Sequence, residues 1–225
     1  MRCYLSEEKI ALFDFCDTMI NFQSADNYVR YVKAHVHSTA RMRMLEGLRK
    51  FLVKVRLMRI LQVFSREGYV NKRMLLRQLE GLSEQEMTNL AESFYRELVR
   101  PNYVPEVIAE VMRLRQEGYR LFIVSGGYDV YLRYVAEEFG FEDCIATRLD
   151  FQDGRFTGRY RGDDCMKENK VKLLREYFGR ESLRDCDSVA YSDSKSDIPL
   201  LKFCRKGVAV TRKNCPPPST YIMQS

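Results

Sequence analysis

The sequence predicts an α/β fold: a mainly parallel five-strand sheet with helices on both faces, and an all-α insertion after the first strand. Three observations carry that prediction. Short apolar runs, too short for helices of their own, end in polar groups: Ile10-Ala-Leu-Phe13 in Asp14, Tyr119-Arg-Leu-Phe-Ile-Val124 in Ser125, and Ser188-Val-Ala-Tyr191 in Ser192 and Asp193. Strands buried on both faces read this way, with polar residues at their tips. Stretches of helical spacing alternate with these runs, as βα units require. From Asp26 to about Arg100 the texture is rich in Leu, Met, Arg, Lys and Glu with no proline before Pro101, which calls for helices alone.

Ile10 to Phe13 is the first strand, and ligands of open α/β sheets lie outside the carboxyl ends of their strands. Asp14 therefore stands at the functional edge. Taken alone, Asp14 and Asp17 could equally shape a turn that caps the next helix. The insertion divides into helices Asp26 to His37, Thr39 to Arg66, Asn71 to Leu79 and Ser83 to Val99, and Ser83 with Glu86 forms a capping box. On the long helix Leu45, Leu48, Leu52 and Val55 recur at helical spacing, while Arg41, Arg43, Arg49, Lys50, Lys54, Arg56 and Arg59 crowd its other sides. The simpler expectation packs the leucines on neighbouring helices and leaves a solvated basic face; the alternative lays the helix on an anionic membrane surface. His35 and His37, two residues apart, fall on different sides of a helix and make a poor metal site.

After helix Pro105 to Gln116, which stops at Gly118, the second strand runs from Tyr119 to Val124 and ends in Ser125-Gly126-Gly127. A helix from Asp129 to Phe139 is stopped by Gly140. A third strand, Cys144 to Arg148, flows into Leu149 to Tyr160, where Asp153-Gly154 between alternating apolar residues signals a hairpin. Helix Met166 to Phe178 ends at Gly179, the fourth strand is Ser188 to Ser192, the fifth is Gly207 to Thr211, and a proline-broken tail follows.

At 225 residues and 45% hydrophobic content the chain can bury the core of one domain or somewhat more. A net charge of +6 suits an acidic partner without specifying it. Seven cysteines, an odd number with no Cys-x-x-Cys pair, support neither a zinc knuckle nor a disulfide framework and fit a reducing cytoplasm. No signal-peptide core and no apolar run of membrane-span length is evident.

Asp14, Ser125 and Asp193 thus end three strands, and Lys170 opens a helix between them. Two acids for a divalent cation, a hydroxyl beside backbone amides, and a lysine are the parts needed to hold a phosphoryl group and pass it to a carboxylate. In order and spacing these residues resemble the haloacid dehalogenase superfamily, and within it the branch that includes phosphoserine phosphatase. The matching motifs are Asp14-Phe-Cys-Asp-Thr18, Val124-Ser125-Gly-Gly127, Lys170 in Glu-Asn-Lys-Val-Lys-Leu-Leu, and Asp193-Ser-Lys-Ser-Asp197.

The resemblance covers nearly the whole chain. It implies a Rossmann-like three-layer core of residues 1–20 and 104–225, interrupted by a helical cap over 21–103. It further implies a Mg²⁺-dependent phosphatase acting on a small phosphorylated substrate through an aspartyl phosphate on Asp14, with no nucleic-acid partner. Mg²⁺ would be held by Asp14, the backbone carbonyl of Cys16 and Asp193, with Asp197 supporting through water. Ser125, the Gly126 amide and Lys170 would neutralise the transferring oxygens.

Two departures bear on the chemistry. The family's acid/base aspartate, two residues after the nucleophile, is Cys16 here, with Asp17 beside it. The glutamate by which phosphoserine phosphatase reads the substrate ammonium is matched by Gln23, which disfavours phosphoserine. Ser192 also replaces the usual glycine of the fourth motif. A non-catalytic descendant binding a phosphorylated ligand or partner, and a phosphotransferase, are the competing readings. A receiver domain lacks a cap and does not carry its phosphorylated aspartate on the first strand.

Overall fold

The computed structural model describes residues 8–36, 40–54 and 70–211. Strand β1 (Lys9–Phe13) is the middle of a five-stranded sheet because its four apolar residues can be buried from both sides, and all four are. It pairs in parallel with β2 (Arg120–Tyr128) on one edge and with β6 (Asp187–Ser192) on the other. Beyond them lie β3 (Asp143–Thr147) and β7 (Lys206–Ala209), giving the order β3-β2-β1-β6-β7, parallel throughout. The chain builds one half of the sheet, then the other, so the order reverses beside β1. The carboxyl ends of β1, β2 and β6 meet at that switch point, where such sheets hold their ligands.

Alternate residues of each strand serve opposite faces. Ala11, Phe13, Leu121, Ile123, Val189 and Tyr191 belong to one apolar layer together with Val111 of helix α5 (Pro105–Gln116) and Val135 of α6 (Asp129–Phe139). Ile10, Leu12, Phe122, Val124 and Ala190 belong to the other, against Leu174 of α7 (Glu168–Phe178) and Leu200 of α8 (Ile198–Phe203). Between β1 and α5 the described chain forms α1 (Ser24–His35), α2 (Ala40–Lys54), α3 (Val70–Leu76) and α4 (Glu84–Phe94). These helices share the first apolar layer: Tyr28 of α1 and Phe94 of α4 each lie 5.2 Å, ring to ring, from Tyr131 of α6.

Among the described residues the expected elements are present with shifted ends. The helix expected from Asp26 starts at Ser24. The one expected over Asn71 to Leu79 is α-helical to Leu76 and tightens to a 3₁₀ turn over Arg77–Leu79. Ser83 accepts the amide of Glu86 at 3.2 Å as the capping box requires, and α4 widens into a π turn over Tyr95–Val99. Strand β2 runs on through Ser125-Gly126-Gly127 to Tyr128, with a register shift between Ser125 and Tyr128. The Ser-Gly-Gly run thus continues the strand as a bulge, and its glycines are needed because a Cβ at Gly126 would stand 2.6 Å from Met166 and one at Gly127 2.7 Å from the Tyr131 hydroxyl.

The Asp153-Gly154 hairpin forms β4 (Leu149–Gln152) and β5 (Arg155–Tyr160), with positive φ at both turn residues as a tight primed turn demands. It also reaches the insertion: Gly81 donates to the Phe156 carbonyl at 2.8 Å and Phe156 to that of Leu82 at 2.9 Å. The helical segment is therefore buttressed by a β-hairpin, a contact the sequence does not announce.

The orientation of α2 is a correction. Arg43 and Lys50 are exposed as expected, but Leu48, expected to pack inward, is exposed too, while Glu46 and Arg49 face the neighbouring helices. Glu46 accepts from Gln78 at 2.8 Å and pairs with Lys33 at 3.3 Å, and Arg49 donates to Asn71 at 3.2 Å. Partly buried polar groups need such partners, and the helix turns to supply them. The expected continuation of this helix to Arg66 lies outside the described residues, as does His37. No helix among the described residues is long and apolar enough to cross a membrane.

Candidate active site

A cavity of about 460 Å³ opens over the carboxyl ends of β1, β2 and β6. Asp14 follows the last residue of β1, and its amide bonds to the Tyr191 carbonyl of β6 at 2.9 Å, so the sheet itself fixes its place. The chain then turns sharply. Met19 donates back to Phe15 at 2.9 Å, and Asp17 adopts a left-handed φ of 58°, a conformation that aspartate tolerates.

Lys170 lies in the first turn of α7, 4% exposed, with its ammonium 2.6 Å from Asp14 and 2.5 Å from Asp197. Asp197 also accepts the Ser192 hydroxyl at 2.8 Å, which gives the residue in the usual glycine position a part to play. Burial alone would discharge Lys170, but the two carboxylates outweigh it and hold its pKa above the ordinary lysine value. Burial pushes Asp14 up to about 6 against the attraction of Lys170, with the Asp197 charge adding to the rise. One lysine thus ties together the ends of β1 and the segment after β6.

Thr18 makes the second tie. Its hydroxyl lies 3.2 Å from Asp14 and 3.1 Å from Asp193, and accepts the Asp193 amide at 3.0 Å. With one proton it can serve one carboxylate at a time, so two acids stand side by side over a single hydroxyl. That donor chemistry, hard oxygens from few carboxylates, is what Mg²⁺ takes while keeping waters. No group of three or more His, Cys, Asp or Glu side chains of metal-holding geometry occurs among the described residues, so a cation here would rest on two carboxylates, backbone and water. Ser125, buried at the β2 bulge, accepts the Gly127 amide at 3.0 Å and keeps its O–H to donate.

Cys16 and Asp17 diverge. The Cys16 thiol lies 3.0 Å from the Ser24 hydroxyl and accepts the Ser24 amide at 3.3 Å, at the N-terminus of α1; the Ser24 hydroxyl in turn meets that of Tyr131 at 2.7 Å. Burial, reinforced by the Asp14 charge, raises the thiol pKa and keeps it neutral. The Asp17 carboxylate instead accepts the side-chain amide of Gln23, and both residues line the cavity.

Every residue expected at the site from sequence lines this one cavity: Asp14, Cys16, Asp17, Gln23, Ser125, Gly126, Lys170, Asp193 and Asp197. One wall was not anticipated. Lys72 of α3 is 7% exposed and donates to the Gly126 carbonyl at 2.5 Å, reaches the Met166 sulfur at 3.6 Å and sits 5.1 Å from the Tyr128 ring centre. Burial lowers its pKa. Nothing in Asn71-Lys72-Arg73 separates this lysine from its basic neighbours, because its partner is 54 residues away.

Comparison with known proteins identifies the family. Residues 11–202 match the model of the haloacid dehalogenase-like hydrolases. The phosphoserine phosphatase of Methanocaldococcus jannaschii is 25% identical over 209 residues, covering 90% of this chain and 88% of that protein. The histidinol-phosphatase of Neisseria meningitidis serogroup C is 30% identical over 136 residues, covering 59% of this chain and 61% of its own. A protein of unknown function from Bordetella pertussis Tohama I has the same fold, with a TM-score of 0.74 at 23% identity over 93% of this chain and 92% of that one. A family match over that length decides the affiliation: the chain belongs to the haloacid dehalogenase-like hydrolases.

Proposed function

We propose that this chain is a Mg²⁺-dependent phosphatase that hydrolyses a small phosphomonoester in two steps through Asp14. The observation that carries the proposal is the buried lysine between two carboxylates, Asp14 and Asp197, at a sheet edge that also presents Ser125. A structural lysine has no need of two buried acids, whereas a phosphoryl-transfer site needs all three. In the first step an Asp14 oxygen attacks phosphorus, the bond to the substrate oxygen breaks, and the departing alkoxide takes a proton. In the second, water attacks phosphorus, loses a proton and frees Asp14 with inorganic phosphate.

Lys170, the Ser125 hydroxyl and the Gly126 amide oppose the charge on the transferring oxygens, and Thr18 steadies Asp14 against Asp193. Bound Mg²⁺, held by Asp14, the Cys16 carbonyl and Asp193 with Asp197 behind, would supply the remaining neutralisation. Asp197 holds Lys170 in reach, a positioning role. The helical segment, read as a cap over 21–103 on a core of 1–20 and 104–225, contributes the Lys72 wall.

The substrate is read from that wall. Gln23 spends its amide on Asp17, so it offers no negative charge to a substrate ammonium, and phosphoserine should be a poor substrate. Lys72 favours substrates with a further anionic group. Two relatives of similar identity are named for different substrates, phosphoserine and histidinol phosphate, so similarity alone does not choose. The competing reading, a phosphorylated-ligand binder without turnover, draws on Cys16 in the acid/base position. A screen of phosphomonoesters with Mg²⁺ present or chelated tests the proposal: Mg²⁺-dependent phosphate release supports it, while tight binding without release supports the alternative. Added acceptor alcohols that become phosphoesters would mark a phosphotransferase instead. A cytoplasmic setting fits the free thiols of Cys16, Cys144, Cys165, Cys186 and Cys204.

A further inference from the structure

Large apolar side chains exposed singly are ordinary, and Leu98, Met112, Tyr177 and Ile198 are of that kind. Helix α2 is different. Met44, Leu48 and Phe51, spaced i, i+4 and i+7, are 67%, 49% and 60% exposed and form one stripe along the helix. Arg43 and Lys50 are exposed near that stripe, Lys50 with 72% of its side chain in solvent and its ammonium 3.8 Å from Glu46 on the same helix. The helix is attached by its polar face, where Glu46 meets Lys33 and Gln78 and Arg49 meets Asn71. Among the described residues its apolar face therefore meets no neighbour, and three hydrogen-bonded partners, Lys33, Gln78 and Asn71, hold the opposite face inward.

We infer that α2 is a docking element for an anionic lipid bilayer, with Met44, Leu48 and Phe51 entering the headgroup–acyl boundary and Arg43 and Lys50 meeting lipid phosphates. An apolar stripe flanked by cations on a helix is the form that lies in a membrane interface. The charge decides among occupants. A second copy would bring Arg43 and Lys50 towards their own equivalents in a chain whose net charge is +6, and like charges repel. Three side chains on one helix face also offer far less surface than the roughly 1,200 Å² that stable protein pairs bury. An anionic surface takes both the apolar and the basic residues without conflict. Because Arg49 bonds to Asn71, and Asn71 lines the catalytic cavity, docking would hold that cavity close to the bilayer.

Vesicle co-sedimentation of the full chain tests the inference. Wild-type protein should partition at least about tenfold more strongly onto phosphatidylcholine vesicles carrying about one third phosphatidylglycerol than onto phosphatidylcholine alone. The variant Met44→Ser/Leu48→Ser/Phe51→Ser and the variant Arg43→Glu/Lys50→Glu should each lose roughly tenfold of that binding, with added salt weakening the wild type. Circular dichroism and melting temperature serve as fold controls for both variants. Equal or absent binding to the two vesicle types, or variants that fold and bind as wild type, would overturn the inference. So would a wild-type dimer in solution that the triple serine variant abolishes, since the stripe would then serve another copy of the chain.

Discussion

Replacing Cys16 with aspartate should make the enzyme faster, and the structure says on which substrates. The thiol sits at the first turn of α1, accepting the Ser24 amide at 3.3 Å with the Ser24 hydroxyl 3.0 Å away. An aspartate there would inherit an amide and a hydroxyl at a helix N-terminus, where the peptide dipoles favour an anion. The thiol, neutral and poorly hydrogen bonding, can neither donate well to a departing alkoxide nor take a proton from water afterwards. General acid/base help is typically worth roughly 10²–10⁴-fold, and a substituted residue with no optimised surroundings should recover only part of it. Cys16→Asp should raise kcat/KM on alkyl phosphates by about 10–100-fold, or about 1.4–2.7 kcal/mol of barrier. On p-nitrophenyl phosphate, whose leaving group departs without a proton, the gain should stay below about threefold. Cys16→Ala should change either rate by less than about threefold and cost about 1 kcal/mol of stability for the lost Ser24 contacts. Steady-state kinetics on a series of leaving groups reads all of this. A large loss in Cys16→Ala at unchanged Mg²⁺ affinity would refute the reasoning, because the thiol would then take part in the chemistry.

Lys170→Met leaves Asp14 and Asp197 buried without their counter-charge, so it should cost about 3–5 kcal/mol in urea unfolding of the Mg²⁺-free protein; a loss below about 1 kcal/mol would contradict the placement of the lysine. Glu46, held at about 2 by Arg49 and by Gln78 and Lys33 against its burial, has a folded pKa below its unfolded value near 4.5. Its contribution is therefore present above pH about 4.5 and lost as pH falls towards 2, and with partial solvent screening should amount to about 1–2 kcal/mol. Urea unfolding between pH 3 and 6 should show that slope in the wild type and lose it in Glu46→Gln; an unchanged slope would deny the polar anchoring of α2. Lys72→Met should raise KM about tenfold for phosphomonoesters with a second anionic group and little for those without, while phosphoserine ranks low in both proteins. A top rank for phosphoserine, unimproved by Gln23→Glu, would reverse the reading of the pocket.

What was legible in the sequence shares one property, that the signal is local. Asp14, Ser125 and Asp193 announce themselves as polar residues ending buried apolar runs, and a parallel sheet must gather such ends on one edge. Lys170 and Asp197 stand out only through the motifs of the superfamily the chain resembles. The Cys16 departure was equally plain, but not where the side chain would go, because Ser24 and Tyr131 reach it through the fold. Lys72 was hidden for the same reason, its acceptor lying on the β2 bulge. Helix α2 shows the limit most clearly. Leucines at positions 45 and 48 suggested an inward face, yet the orientation is set by Glu46 finding Lys33 and Gln78, partners 13 and 32 residues distant. Periodicity identifies a helix that has two faces, and only the neighbours decide which one turns inward.

The covalent role of Asp14 is the point on which the account depends. It is tested most directly by phosphate release from freshly purified Asp14→Asn, beside wild type with Mg²⁺ and wild type with the metal chelated, on the best substrate of the screen. Asparagine keeps the shape and the bond to Thr18 but cannot attack phosphorus, so turnover should fall by roughly 10⁴-fold or more while circular dichroism stays that of the wild type. Hydrolysis by Asp14→Asn at a rate comparable to wild type would contradict the account.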